Sequence, residues 1–135
     1  MAFEVDVKKR LSGSNFLNFL GVETEVDEYG KIFMKLYVDD NVLNLNNTLH
    51  GGVHATILDS VIGQTVAQEA ECPISTVNLN IFYGRPAVKN NWLTASATIV
   101  QMGYNIVTAE GTLLNENGEL IAKAIGSFKI LRSNK

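Results

Sequence analysis

Between Gly51 and Ala70 the apolar residues Val53, Ile57, Leu58, Val61, Ile62, Val66 and Ala70 recur at three- and four-residue steps, the period of an α-helix. No Lys or Arg interrupts the run, and apolar positions occupy nearly every side of it, which predicts a helix buried in the fold. Elsewhere the period is two. Ile32, Met34, Leu36 and Val38 alternate with Lys31, Phe33, Lys35 and Tyr37, so Val22 to Val26 and Lys31 to Val38 read as a hairpin around Asp27-Glu28-Tyr29-Gly30. Beyond the helix, Cys72-Pro73 breaks the pattern, and Val77, Leu79, Ile81 and Tyr83 alternate with Thr76, Asn78, Asn80 and Phe82. Three further strands are predicted over Trp92 to Gln101, Tyr104 to Leu114 and Leu120 to Leu131, turning at Met102-Gly103 and at Asn115-Glu116-Asn117-Gly118. Ahead of everything, Val5 to Leu11 and Asn15 to Leu20 read as short amphipathic helical turns, with Gly21 as a stop. Asp39 to Leu49, rich in Asn and Asp, is a loop that delivers the chain to the long helix. The order is a hairpin, one long helix, then a meander of four strands, which makes an α+β domain with an antiparallel sheet packed on one central helix.

One residue violates the apolar pattern. Asp59 sits in the middle of the long helix, with the mostly small Ala55, Thr56, Ile62 and Gly63 three and four residues away. Burying a carboxylate is expensive unless it is hydrogen-bonded, protonated or put to use. A local hydrogen bond to backbone is the alternative to a functional role, and the small neighbours leave room for a ligand or a second helix.

Composition narrows the setting. A chain of 135 residues that is 46% apolar and 19% charged suits one domain spanning 1–135, with its core over about 15–131 and a helical segment over 1–20. A net charge of −3 and the lack of a basic stripe with interleaved aromatics argue against a nucleic-acid partner. The single cysteine, Cys72, excludes an internal disulfide and fits a reducing compartment. Met1 to Arg10 mixes acids and bases without an apolar stretch, unlike a signal peptide. Asp59, Gln64, Gln68 and Glu69 argue against the long helix as a membrane span. The expected location is the cytoplasm, with no membrane partner.

Gly51 and Gly52 open the helix, where unpaired N–H groups and the positive end of the helix dipole can hold a developing oxyanion with no side chain in the way. An ordinary structural N-terminus is the alternative. Asp59 lies eight residues along, about 12 Å by helical rise, too far for both groups to act on one carbonyl within one chain. Two such helices placed antiparallel across a two-fold axis would bring the glycine end of one to the carboxylate of the other.

Asn44-Leu45-Asn46-Asn47-Thr48-Leu49-His50-Gly51-Gly52 followed by Asp59 resembles the signature of hotdog-fold acyl-CoA thioesterases of the phenylacetate-degradation type, within the 4-hydroxybenzoyl-CoA thioesterase-like superfamily. Thr76 to Ala87, ending in Arg85-Pro86-Ala87, resembles that family's next strand and turn, and the likeness extends from about Asn15 to Leu131. The resemblance implies a hotdog fold, a sheet wrapped around the central helix, and hydrolysis of a coenzyme A thioester to free acid and CoA without metal or redox cofactor. It implies Asp59 as nucleophile or general base, the Gly51 amide as oxyanion hole, Asn44 placing the thioester carbonyl or the water, and Thr76 assisting across a subunit boundary. His50 would hold the loop through hydrogen bonds. Asn47 departs from the family, where Gly is frequent, although Asn tolerates left-handed geometry. Homodimers with shared sites, and homotetramers built on them, are implied as well.

Other features have plainer readings. His50 and His54 stand four apart, a metal-binding spacing, yet no adjacent Glu or third ligand accompanies them, so no metal is expected. Cys72 has no paired His and reads as a small packed residue. Gly52, Arg85 and Lys89 are candidates for substrate contact, the two cations for the phosphates of CoA, with surface solubility as the alternative. Phe33, Phe82, Tyr83 and Trp92 are assigned to the core, some of them lining an acyl or aryl tunnel. Two other functions suit the fold. A non-catalytic acyl-CoA binder would gain nothing from Asp59, and a hydratase or dehydratase would need a His and an acid aligned on carbon.

Overall fold

The computed structural model describes residues 3–132, so Met1 and Ala2 of the charged N-terminal stretch lie outside the described residues. Helix α1, Val7–Leu11, begins on Asp6, whose carboxylate accepts from the N–H groups of Lys8 and Lys9. That cap sets the start two residues later than the apolar pattern suggests. Helix α2, Asn15–Leu20, starts on Ser14 and stops at Gly21, which adopts a left-handed φ of 81°. Strands β1, Glu23–Val26, and β2, Ile32–Tyr37, form the predicted hairpin. The loop that follows contains a 3₁₀ turn, Asp40–Val42, capped by Asp39, which periodicity could not reveal. The long apolar run is one helix, α3, Gly51–Ala70. Strands β3, Ile74–Tyr83, β4, Trp92–Met102, β5, Ile106–Leu114, and β6, Leu120–Ile130, complete the chain. Tyr104 belongs to the β4–β5 turn rather than to a strand.

All six strands form one antiparallel sheet in the order β1-β2-β4-β5-β6-β3, wrapped around α3 as a hotdog fold. The expected four-strand meander is corrected here: β4, β5 and β6 are consecutive neighbours, but β3 lies at the far edge beside β6. Alternation assigns each residue to a face and says nothing about which strand lies alongside, and the connection over 84–91 is too long for a tight turn. Irregularities in register between Thr76 and Asn78, Ile99 and Gln101, and Leu113 and Leu114 bend the sheet around the helix.

The two edges differ. β1 is short and carries Glu23 and Glu25, whereas β3 is ten residues long and uncharged throughout. Charge and brevity protect an edge from pairing, and β3 has neither.

The core lies between α3 and the inner face of the sheet. Val53, Ile57, Leu58, Val61, Ile62 and Val66 of the helix are buried against Met34, Leu36, Leu93, Ala95, Leu113 and Phe128. The prediction of a helix enclosed on all sides is corrected: the sheet covers one side only, and Ala55, Thr56, Asp59 and Ser60 on the other side are half-exposed. The aromatic assignment is corrected too. Phe82, Tyr83 and Trp92 are 64%, 50% and 38% exposed and Phe33 is half-buried, because the outer face and the β3 edge have no covering layer.

Gly111 of β5 lets the helix approach this closely. A Cβ there would lie 2.8 Å from Ile62 Cγ1 and 3.1 Å from the carbonyl oxygen of Ser96. Among the described residues His54 is the one polar side chain in the core, 5% exposed. Its Nδ1 donates to the His50 carbonyl at 3.2 Å, and its ring meets Tyr83 edge-on at 5.2 Å. Burial holds its pKa below the ordinary histidine value, an effect that the His50 carbonyl bond partly offsets.

Two expected outcomes follow from this packing. Gly111→Ala should destabilise the fold by about 1–3 kcal/mol through overpacking, measured by urea unfolding, and Ile62→Val in the same chain should recover part of the loss. His54 binds a proton more readily unfolded than folded. Stability should therefore fall as pH drops from about 6.5 through the lowered folded value, and the slope of unfolding free energy against pH in that window should flatten in His54→Asn.

Candidate active site

The loop before α3 is built by one side chain. Asn44 Oδ1 accepts from the N–H groups of Asn46 and Thr48 at 2.8 and 3.1 Å, and its Nδ2 donates to Thr48 Oγ1 at 2.9 Å. These bonds, with Asn44 N–H to the Thr48 carbonyl at 2.7 Å, fold the segment back on itself. The turn requires a left-handed residue, and Asn47 supplies it with φ of 62°. The Asn44 carboxamide oxygen is thus committed to the loop instead of standing free to receive a ligand. Leu49 N–H then bonds to the Ala87 carbonyl and His50 N–H to the Val42 carbonyl, both at 2.9 Å, which fixes where the helix begins.

His50 is the N-cap. Its Nδ1 accepts from Gly52 N–H at 2.8 Å, so in the neutral ring the proton resides on Nε2. Val53 N–H and His54 N–H bond to the His50 carbonyl. The Gly52 N–H is therefore consumed internally, while the Gly51 N–H is left without an acceptor among the described residues. Tyr83, at the end of β3, donates its hydroxyl to the Gly51 carbonyl at 3.1 Å. Its ring edge lies 3.5 Å from the point where Gly51 would carry a Cβ, an ordinary van der Waals contact. Sequence reasoning placed Tyr83 among core aromatics and missed this contact. The alternation of β3 was visible, but not the register that sets its last residue beside the helix start.

Asp59 lies on the open side of α3, half-exposed. The expectation of an enclosed carboxylate is corrected accordingly. It does have a partner: Thr76 Oγ1 donates to Asp59 Oδ1 at 2.8 Å. The β3 bulge begins just after Thr76 and shifts the strand there. One carboxylate oxygen is oriented by Thr76 and the other remains open to a substrate or water.

The cations singled out by sequence are both exposed and both paired. Arg85 Nε lies 3.4 Å from Glu119, and Lys89 Nζ lies 2.7 Å from Asp40. The hydrogen bond to Asp40 raises the Lys89 pKa above its usual value. Both follow β3 in the connection over 84–91, where Thr48 and Val88 pair next to the loop that leads into α3. The geometry thus brings Asn44, His50, Gly51, Gly52 and Tyr83 together at the helix start and sets Asp59 with Thr76 apart from them. By helical rise the Gly51 and Asp59 positions are about 12 Å apart. An N–H without an acceptor and a carboxylate oriented by a hydroxyl are the kinds of group that attack on a carbonyl calls for.

Residues 46–122 match the model of the thioesterase superfamily, more than half of the chain. Human acyl-coenzyme A thioesterase 13 is 29% identical over 120 residues, which cover 87% of this chain and 86% of that one. A Bacillus halodurans protein crystallised with CoA superposes with a TM-score of 0.84 at 31% identity, over 95% of this chain and 86% of that one. The Escherichia coli PaaI protein of the phenylacetic acid degradation operon shares the fold, with a TM-score of 0.83 at 16% identity. Among the described residues no helix is long and apolar enough to cross a membrane. The fold, the loop-to-helix signature and the family match agree, and the chain belongs to the thioesterase superfamily of hotdog-fold proteins.

Proposed function

We propose that this protein hydrolyses acyl- or aryl-coenzyme A thioesters to free acid and CoA at a centre shared by two copies of the chain in the cytoplasm. The observation that carries this reading is the Thr76–Asp59 pair at 2.8 Å on the open side of a helix whose Gly51 N–H has no acceptor among the described residues. The thioesterase named among its relatives and the CoA held by the Bacillus halodurans protein support the substrate class.

In this mechanism the thioester carbonyl oxygen accepts from Gly51 N–H of one copy, backed by the dipole of α3. The free carboxylate oxygen of Asp59 of the partner subunit then acts at the carbonyl carbon. As a general base it takes a proton from water while the water oxygen bonds to carbon, and the tetrahedral oxyanion collapses by expelling the CoA thiolate, which takes up that proton. As a nucleophile it bonds to the carbonyl carbon and expels the CoA thiolate to give a mixed anhydride, which water then cleaves to the free acid and the regenerated Asp59 carboxylate, the proton released going to the thiolate. Thr76 orients Asp59 in either route. His50 and Asn44 act indirectly, by fixing the helix start. Arg85 and Lys89 exchange their exposed carboxylate partners for CoA phosphates, since such exposed pairs are weak. The second copy adds along β3, the uncharged open edge that carries Thr76. A hydratase would need a histidine able to take a proton at carbon; in neutral His50 the one lone pair is occupied by Gly52 N–H, and His54 is buried in the core.

Asp59→Asn should lower kcat about 10³-fold or more while leaving the affinity for a CoA thioester within a few-fold. Free-thiol release and calorimetric titration check this, and near-normal turnover would refute the role. Val77→Lys with Phe82→Lys adds two charges to exposed positions of β3. The expected result is a monomer by light scattering with turnover lost, whereas a fully active monomer would eliminate the shared centre.

A further inference from the structure

Strand β3 touches both halves of the proposed centre, and the mechanism above uses only one of the two contacts. Thr76 Oγ1 donates to Asp59 Oδ1 at 2.8 Å, and Tyr83 donates its hydroxyl to the Gly51 carbonyl at 3.1 Å. In an uninterrupted strand the odd separation between positions 76 and 83 would send the two side chains to opposite faces, yet both meet α3. The register gives the reason. Thr76 pairs with Phe128 and Tyr83 with Ala122, residues an even distance apart on β6 and both buried on the helix side of the sheet, whereas the pairing passes over Val77. Val77 is the extra residue of the bulge, and it turns the rest of the strand over so that Tyr83 joins Thr76 on the inner face.

Tyr83 acts on a residue that cannot hold its own direction. Gly51 has no Cβ to restrict its torsions, so its N–H is only as fixed as the peptide planes on either side. The plane before it is held at the His50 carbonyl, which accepts from the N–H groups of Val53 and His54 and from His54 Nδ1. The plane after it is held at one end by His50 Nδ1, which accepts from Gly52 N–H at 2.8 Å, and at the other by Tyr83. Of these ties, the one from Tyr83 alone comes from another element of the fold. Neither partner needs it for solvation: helical geometry already gives the Gly51 carbonyl the N–H of Ala55, and the Tyr83 ring is half-exposed. Its effect is to fasten the helix start to the strand, with the ring itself set edge-on to His54 at 5.2 Å.

We infer that Tyr83 is the positioning residue of the oxyanion donor: its hydroxyl fixes the peptide that follows the Gly51 N–H, from the same strand that orients Asp59 through Thr76. The inference rests on the thioesterase reading and adds to it a residue that acts through Gly51. In the two-copy centre proposed above, one β3 then sets the donor of one centre and the acid of the other.

The test measures thiol release from acetyl-, hexanoyl-, palmitoyl- and benzoyl-CoA by the full-length wild type and by Tyr83→Phe, which keeps the ring and deletes the bond. For the best of these substrates kcat should fall about tenfold, less than the roughly 10²- to 10³-fold that follows outright loss of an oxyanion donor. KM should stay within about twofold, the range of uniform binding left intact, and the unfolding midpoint and the mass by light scattering should not change. Infrared spectra read the donor directly. In Asp59→Asn the ¹³C-labelled thioester carbonyl of the bound substrate should absorb below its frequency in free substrate, and adding Tyr83→Phe should move the band part of the way back and broaden it. A hydroxyl that only stabilised the fold would lower the unfolding midpoint and leave the band in place. Wild-type kcat in Tyr83→Phe, a fall in kcat with an unmoved band, or a rise in KM with kcat unchanged would each overturn the inference and leave the thioesterase reading standing. Release of thiol from none of the four substrates by the wild type would remove the thioesterase reading and the inference with it.

Discussion

A helix that presents apolar residues on nearly every side has been given a sheet on one side only, and the remaining features are responses to that constraint. Val53, Ile57, Leu58, Val61, Ile62 and Val66 meet the inner face of the sheet, where burial of aliphatic side chains supplies the main favourable contribution to folding. On the other side the residues shrink to Ala55, Thr56, Asp59 and Ser60, which expose little hydrocarbon and leave a shallow surface. That surface holds the one helical carboxylate fixed by a hydroxyl of the adjacent strand. Core packing is concentrated on one face of α3, and the Thr76–Asp59 pair stands on the other.

The start of the same helix shows how a loop of polar residues can be as determined as a core. Asn44 satisfies two backbone N–H groups and one hydroxyl, Asn47 takes the left-handed conformation, and His50 closes the first helical turn with its own ring. From Asn46 to Gly52 every backbone N–H but that of Gly51 has an acceptor among the described residues. For the proposed reaction this matters, because an unspent N–H at the positive end of a twenty-residue helix would need no reorientation when charge appears on a bound oxygen.

Much of this was legible from residue order. The helix limits were readable because Gly51-Gly52 and Cys72-Pro73 punctuate a strong period, and the strands because β-branched residues alternate cleanly with polar ones. Asn47 stands where the resembling family often has Gly, and it takes the left-handed conformation that Asn tolerates. Strand order was not legible, since pairing of β3 with β6 is set by contacts distant in sequence. The exposure of Asp59 and of Phe82 was misjudged for a related reason: a hydropathy pattern reports what a surface tends to touch, and does not say whether the same chain provides the cover. The contact of Tyr83 with the helix start went unnoticed because it joins residues 32 positions apart.

The unlike borders of the sheet carry a further consequence. A ribbon with two receptive margins can recruit neighbours at both and grow without limit, the route to fibrils. Here one margin is receptive and the other, with Glu23 and Glu25 on a short strand, is repellent. In the assembly proposed along β3, lateral growth through hydrogen-bonded backbones would terminate after a single addition, because two carboxylates stand at the opposite margin.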